Sequence, residues 1–266
     1  MTGIDRIRRA FEARAGMKIM AHAVCGYPSM EASARIFGAM VAAGADILEA
    51  QLPFSDPSAD GSSIVEANHA ALRAGSRTEA CLASLEALRA ATAAPILVMS
   101  YLNPILAYGV DAMVERAART GLDGFIVPDY PDDEPELGLA EKCAAAGLAL
   151  VPLIAPTTSL ERAATLASGG EAPFLYVVLR LGVTGRRTEL DSASFERLAA
   201  LRETTGKFIA AGFGIREAGQ VEALRGSVDC VIVGSVLVDE ARKALDAAVD
   251  PAEAVGGRLR TLRRSV

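Results

Sequence analysis

Residues 46–61 read Asp46-Ile47-Leu48-Glu49-Ala50-Gln51-Leu52-Pro53-Phe54-Ser55-Asp56-Pro57-Ser58-Ala59-Asp60-Gly61. From Ala45 to Leu48 the chain is apolar enough for a strand buried in a parallel sheet. Beyond it, Pro53, Pro57 and Gly61, with Ser and Asp between them, dictate a loop. Glu49 stands at the junction, a carboxylate at the C-terminal end of a buried strand. Strand alternation puts it on the same face as Ile47. Asp60 ends the loop with a second carboxylate. In an α/β barrel the C-terminal strand ends carry the chemistry, so the two acids mark a candidate site. The competing reading of Glu49 is a strand-end carboxylate satisfied by backbone N–H groups.

The same alternation runs outward in both directions. A short amphipathic helix over Ile4–Ala13 leads in. Strand Lys18–Val24 follows, closed by Gly26-Tyr27-Pro28, and then helical spacing over Met30–Ala43. After the central strand come helix Thr78–Ala91, strand Ile96–Met99, helix Val110–Arg119, strand Gly124–Val127, helix Glu134–Ala146 and strand Leu148–Ile154. Helix Leu160–Ala167, strand Phe174–Leu179, helix Ser192–Arg202 and strand Phe208–Ala211 continue the cycle. Helix Glu217–Arg225, strand Cys230–Val233 and helix Val236–Ala248 complete it. Eight short apolar strands, each followed by a helix, predict a parallel sheet closed into a (β/α)8 TIM barrel. No linker interrupts the pattern, so residues 1–266 are expected to form one domain, with an extra N-terminal helix and a C-terminal helical tail.

Composition sets the outer bounds. At 266 residues and 51% apolar side chains, the chain buries a large core. The net charge is −6, and the short basic stretch Arg258–Arg264 reads as a solvated last helix, so nucleic acid is not an expected partner. No apolar run reaches the roughly 18 residues of a membrane span, and the charged start Asp5-Arg6-Ile7-Arg8-Arg9 lacks a signal peptide's apolar core. Cys25, Cys81, Cys143 and Cys230 have neither metal nor redox spacing and read as buried thiols in a reducing compartment, the cytoplasm.

The strand-end loops fall into two sets. Those after strands two, three and four are rich in Pro, Asn and Asp: Pro53 to Pro57, Asn103-Pro104, and Pro128-Asp129-Tyr130-Pro131. Those after strands six, seven and eight are rich in Gly: Gly182-Val183-Thr184-Gly185, Gly212-Phe213-Gly214 and Gly234-Ser235. Glycine lets a backbone approach an anion closely, and a helix starting at Ser235 would aim its free N–H groups at it. Loops after strands seven and eight are the usual phosphate site of this architecture.

A Schiff-base aldolase needs a lysine at a catalytic strand end. Of the four lysines, Lys18 and Lys207 begin strands and Lys142 and Lys243 lie on helices. A metal-dependent aldolase needs a cluster of histidines, and only His22 and His69 exist. His22, on the first strand, either faces the pocket or is a hydrogen-bonded core histidine. What remains is proton transfer by carboxylates with electrostatic stabilisation and no organic cofactor.

Glu49 and the run Pro53-Phe54-Ser55-Asp56-Pro57-Ser58-Ala59-Asp60-Gly61 closely resemble the signature of the tryptophan synthase alpha subunit family. Gly26-Tyr27-Pro28, Tyr101 with Asn103-Pro104 and Tyr108-Gly109, Val127-Pro128-Asp129 and Pro152 to Thr158 also match family blocks. So do Gly182 to Gly185, Gly212 to Ile215 and Ile232 to Ser235. The resemblance implies a cofactor-free barrel lyase that splits indole-3-glycerol phosphate into indole and glyceraldehyde 3-phosphate. By that likeness Glu49 is the general acid–base and Asp60 stabilises positive charge on the indole nitrogen. Gly185, Gly214, Gly234 and Ser235 hold the phosphate, Phe213 and Tyr101 wall the indole pocket, and Leu181–Arg187 forms a lid. The family also delivers indole to a beta subunit in an alpha2beta2 assembly, and Pro53, Asp56, Asn103, Pro104, Asp129 and Pro131 match its docking loops.

Several positions depart from the family pattern. Ala50-Gln51 stands where Leu-Gly is usual, Ser62 replaces Pro, and Val65 stands where Gln is usual. Leu179-Arg180-Leu181 replaces a Ser-containing strand end. His22 occupies a position usually filled by Phe or Tyr, and Val24 stands for a nearby Thr. Two alternatives to the pathway enzyme therefore stay open. One is a stand-alone or repurposed lyase that releases free indole or cleaves a related aryl-glycerol phosphate. The other is a subunit that mainly binds and activates a beta chain.

Overall fold

The computed structural model describes residues 1–13, 16–131, 137–179, 191–212 and 214–266. Its strands are β1 (Lys18–Val24), β2 (Ile47–Gln51), β3 (Ile96–Met99), β4 (Gly124–Ile126), β5 (Ala149–Leu150), β6 (Leu153–Ile154), β7 (Phe174–Val178), β8 (Phe208–Gly212) and β9 (Cys230–Val233). Its helices are α1 (Gly3–Glu12), α2 (Met30–Ala42), α3 (Ser62–Arg73), α4 (Thr78–Ala91), α5 (Leu102–Tyr108), α6 (Val110–Thr120), α7 (Leu139–Ala145), α8 (Leu160–Ser168), α9 (Ser192–Thr205), α10 (Ala218–Ala223), α11 (Ser235–Asp246) and α12 (Pro251–Arg263).

The strands run β5-β4-β3-β2-β1-β9-β8-β7-β6, and every pairing is parallel. The two ends of that order, β5 and β6, are halves of the expected strand Leu148–Ile154, divided at Val151-Pro152. Proline has no N–H to give a ladder, yet its carbonyl accepts from Tyr176 N–H at 3.0 Å, while Val151 N–H donates back to Phe125 at 2.9 Å. One strand thus serves both neighbours, and the eight expected strands close into a TIM barrel.

Two apolar layers follow from strand alternation. Met20, Ile47, Leu97, Ile126, Phe174, Ala210 and Ile232 fill the interior of the ring. Ile19, Leu48, Val98, Phe125, Leu175 and Val231 point outward into the helices. At the N-terminal end α1 plugs the ring: Phe11 stacks on Phe208 with centroids 4.9 Å apart and lies 5.2 Å from Phe174. At the same end Asp46, Asp123 and Asp229 precede β2, β4 and β9. Each accepts an N–H from the first or second residue of a neighbouring strand: Ile19 at 2.9 Å, Ile96 at 2.7 Å and Ile209 at 2.7 Å. Each also meets arginine: Arg263 on Asp46, Arg6 and Arg89 on Asp123, Arg202 on Asp229.

Three expectations are corrected. The last helix is not simply solvated, because Val255, Leu259 and Leu262 of α12 are fully buried against α2 and α11. Burial of such side chains contributes roughly 1.5–3 kcal/mol each. Helix α3 occupies residues to which the pattern assigned none. Helix α7 begins at Leu139, and residues 134–136 of the expected helix lie outside the described ones. The four cysteines are buried and free, as read from the sequence, and the fold brings the Cys25 thiol into hydrogen-bonding contact with Cys81, which pushes Cys25 well up.

Candidate active site

Strand β2 runs two residues past Glu49, so Glu49 lies inside the strand, and its neighbour on the inward face is Gln51. Both are buried, Glu49 at 3% exposure and Gln51 at 0%. Across the ladder, His22 of β1 is in register with Glu49, and its Nδ1 lies 3.4 Å from Glu49 Oε1. Asp60 reaches the same place from the loop, one residue before the Gly61 cap of α3. Helix α3 anchors that loop, since Asn68 Oδ1 accepts from Phe54 N–H at 2.9 Å and Asn68 Nδ2 donates to the Ile64 carbonyl at 2.8 Å.

Two donors converge on one oxygen of Asp60. Gln51 Nε2 donates to Oδ2 at 2.8 Å and the Tyr101 hydroxyl donates to it at 3.1 Å. The same Tyr101 oxygen accepts from Ala59 N–H at 3.0 Å, and its ring lies against Phe54 at 5.4 Å. Burial raises the Asp60 carboxyl above its ordinary value, and the charge of Glu49 adds to this. His22, Gln51 and Tyr101 oppose the rise without cancelling it.

The contrast with the opposite end of the barrel is informative. There Asp46, Asp123 and Asp229 are each neutralised by arginine. At the C-terminal mouth, among the described residues, neither Glu49 nor Asp60 has an arginine or lysine partner. Glu49 Oε2, His22 Nε2 and the Gln51 amide oxygen are buried without a hydrogen-bond partner. Orphaned buried polar atoms are expensive and cluster where a ligand will satisfy them.

His22, Glu49 and Asp60 line a cavity of about 70 Å³. It brings together Glu49 and Asp60 with Gly214, Gly234 and Ser235, five of the residues singled out in the sequence. Gly214 takes a φ of +89°, which favours glycine, and its carbonyl accepts from Gln220 Nε2 at 3.1 Å. Gly234 caps the N-terminus of α11 with Ser235 as its first residue, so the first N–H groups and the positive end of the helix dipole point toward the mouth.

Tyr101 is placed behind Asp60 and does not line the cavity; among the described residues, the Phe, Tyr or Trp side chain that does is Tyr176 of β7. The alternation Phe174, Tyr176, Val178 carried that signal, because Phe174 is an interior residue two positions earlier. Phe213, Gly185 and the Leu181–Arg187 segment lie outside the described residues. Of the loop positions, Asp56, Asn103 and Asp129 are exposed at the mouth, Pro104 and Pro131 are half-buried, and Pro53 is buried. Asp129 Oδ1 accepts from Leu102 N–H at 2.8 Å, joining two of these loops.

The fold and the site together define a parallel α/β barrel with two buried carboxylates at its C-terminal mouth. Residues 10–263 match the family model described as tryptophan synthase alpha chain. The chain is 40% identical over 239 residues to the tryptophan synthase alpha chain of Carboxydothermus hydrogenoformans, covering 90% of this chain and 89% of that one. It is 41% identical over 221 residues to that of Methanosarcina barkeri, with coverages of 83% and 82%. The crystal structure of tryptophan synthase subunit alpha from Legionella pneumophila superposes with a TM-score of 0.90 at 29% identity, covering 100% of this chain and 98% of that one. A structure of tryptophan synthase from Mycobacterium tuberculosis gives 0.86 at 30% identity, with coverages of 99% and 96%. The chain belongs to the tryptophan synthase alpha chain family.

Proposed function

We propose that the chain cleaves indole-3-glycerol phosphate to indole and glyceraldehyde 3-phosphate, the lyase step of tryptophan biosynthesis. The observation that carries this reading is the pair of buried carboxylates, Glu49 and Asp60, facing one cavity with no arginine or lysine beside them among the described residues.

Protonation of the indole carbon that bears the glycerol chain is the step that weakens the C–C bond. Glu49 delivers that proton, which places positive charge on the ring nitrogen. Asp60, held by Gln51 and Tyr101, faces the developing charge as a carboxylate. Glu49, now ionised, takes the proton of the hydroxyl on the adjacent carbon. The C–C bond breaks, its electrons neutralise the ring, and the hydroxyl carbon becomes the aldehyde. The proton leaves Glu49 and returns to it, so the scheme balances without a cofactor. Contacts made mainly in the transition state are worth about 10²–10⁴-fold in rate. Gly214, Gly234 and Ser235 supply the backbone donors for the phosphate, together with Gly185. Tyr176 faces the ring, with Phe213 as its counterpart by the family resemblance.

Asp56, Asn103 and Asp129 with Pro104 and Pro131 form the face, supported from beneath by the buried Pro53, that docks a beta subunit in a cytoplasmic alpha2beta2 assembly. Exposure of the three polar residues around the cavity mouth supports this. The test is indole release by the purified chain with and without a beta subunit. Slow release that the partner accelerates supports the pathway enzyme. Rapid release by the chain alone, unchanged by a partner, rejects the coupled role, and no release in either arm rejects the substrate.

A further inference from the structure

Glu49 is not alone on the floor of the site. His22 faces it from the neighbouring strand, in register, with Nδ1 3.4 Å from Oε1. The inner atoms of the two side chains meet, and the outer atoms, His22 Nε2 and Glu49 Oε2, are buried without partners. His22 is 4% exposed and lines the same cavity. Its ring lies over Gly234, where a Cβ would come within 3.4 Å of it. A histidine that served only the core would have both ring nitrogens satisfied by backbone or solvent. This one has the carboxylate on its Nδ1 side and no partner at Nε2.

A general acid must hold a proton at the working pH, whereas an ordinary carboxyl is ionised at neutrality. We propose that His22 and Glu49 act as a one-proton pair in which His22 is the positioning residue that keeps, beside the carboxylate, the proton Glu49 delivers. The proposal rests on the lyase reading given above. In the resting pair the proton is on the imidazole. It passes from Nδ1 to Oε1 as Glu49 protonates the ring carbon. The carboxylate then accepts the hydroxyl proton of the cleaving substrate and the imidazole takes it back, so the pair ends as it began.

The surroundings support this assignment. Burial is the largest influence on His22 and disfavours the imidazolium. The charge and hydrogen bond of Glu49 oppose it, aided by the Asp60 charge, and the net displacement is upward. Facing His22 are Glu49 and Gln51 from β2, Asp60 from the loop before α3, Tyr176 from β7 and Ser235 from α11. The Tyr176 phenol is pushed well up by burial and stays neutral. With a raised value, the pair holds its proton to higher pH than a free imidazole would and loses it as pH rises past that value. Lyase activity should fall on the same limb.

The experiment has two arms. The first compares the pH profiles of indole release by the wild-type chain and by His22→Gln, which can hydrogen-bond Glu49 but cannot carry a proton. Glutamine should lower kcat by about tenfold or more with KM little changed, and the alkaline limb should move down by about one pH unit or more. The second follows the imidazole by NMR in the wild-type chain and in Glu49→Gln, with His69→Ala to assign the only other histidine. Loss of the carboxylate should lower the His22 titration. Superimposable pH profiles, or a His22 titration unmoved in Glu49→Gln, would overturn the pair. Should His22→Gln fail to fold, the second arm decides alone. A His22 titration that shifts while the wild-type chain releases no indole supports the pair and rejects the substrate instead.

Discussion

Gln51 Nε2 donates to Asp60 Oδ2 at 2.8 Å, from a fully buried position next to Glu49 on the inward face of β2. The family usually has glycine there, so this chain sets a side chain of its own between its two acids. The amide opposes the burial that raises the Asp60 carboxyl. Its own oxygen is left without a partner.

Gln51→Met keeps the volume and removes the donor. A hydrogen bond to a charged group contributes about 1.5–3 kcal/mol, so the Asp60 carboxyl should climb by about one to two pH units. Asp60 acts as a carboxylate, and its folded value is already raised. Activity that depends on it is lost as pH falls through that value. The acid limb of the lyase profile should therefore move to higher pH. An unmoved acid limb would show that Gln51 does not tune Asp60.

Tyr101→Phe removes the hydroxyl that donates to Asp60 and accepts from Ala59 N–H. Leaving a buried donor unsatisfied costs about 1–3 kcal/mol, which thermal denaturation will register as a lower Tm. Because Tyr101 stands behind Asp60, kcat should fall while KM changes little. A rise confined to KM would instead place Tyr101 against the substrate.

Gly234→Ala sets a methyl 3.4 Å from the His22 ring at the start of α11. The helix terminus must shift or the ring must give way, and the phosphate donors move with it. KM should rise by about tenfold, the equivalent of roughly 1.4 kcal/mol of binding, with a smaller effect on kcat. An inorganic phosphate titration by NMR in both proteins separates lost anion binding from a disturbed ring.

Asp123→Ala tests the opposite end of the barrel. Its carboxylate is fully buried and accepts from Arg6 Nε at 2.6 Å, Arg89 Nη1 at 3.2 Å and Ile96 N–H at 2.7 Å. Removing one partner of a buried charge network costs about 3–5 kcal/mol. Chemical denaturation should show that loss, while the rate per folded molecule stays near wild type.

Much of this architecture is legible in the sequence because strands such as β3 and β9 are uninterrupted apolar runs flanked by Gly, Pro or charge. Helix α3 is not, because its buried face is carried by Ile64, Ala67, Asn68 and Ala71, a weak stripe with a polar residue that pins the loop above it. Helix α5 contains Pro104, which reads as loop although a proline in a first turn needs no N–H partner. Basic residues of α12 hide the apolar stripe Val255, Leu259, Leu262. In the site, Glu49, Asp60 and the glycine turns are readable because the chemistry needs those residue types at strand ends. Gln51 on Asp60 and His22 on Glu49 are contacts between side chains whose partners only the ring's register defines.

The most direct test of the account is the rate of indole formation from saturating indole-3-glycerol phosphate by wild-type chain and Glu49→Gln, with substrate affinity measured separately by calorimetry. An acid–base role for Glu49 requires the rate to drop by about 10²-fold or more while the variant still binds substrate. A variant that turns over at a rate close to wild type would contradict it.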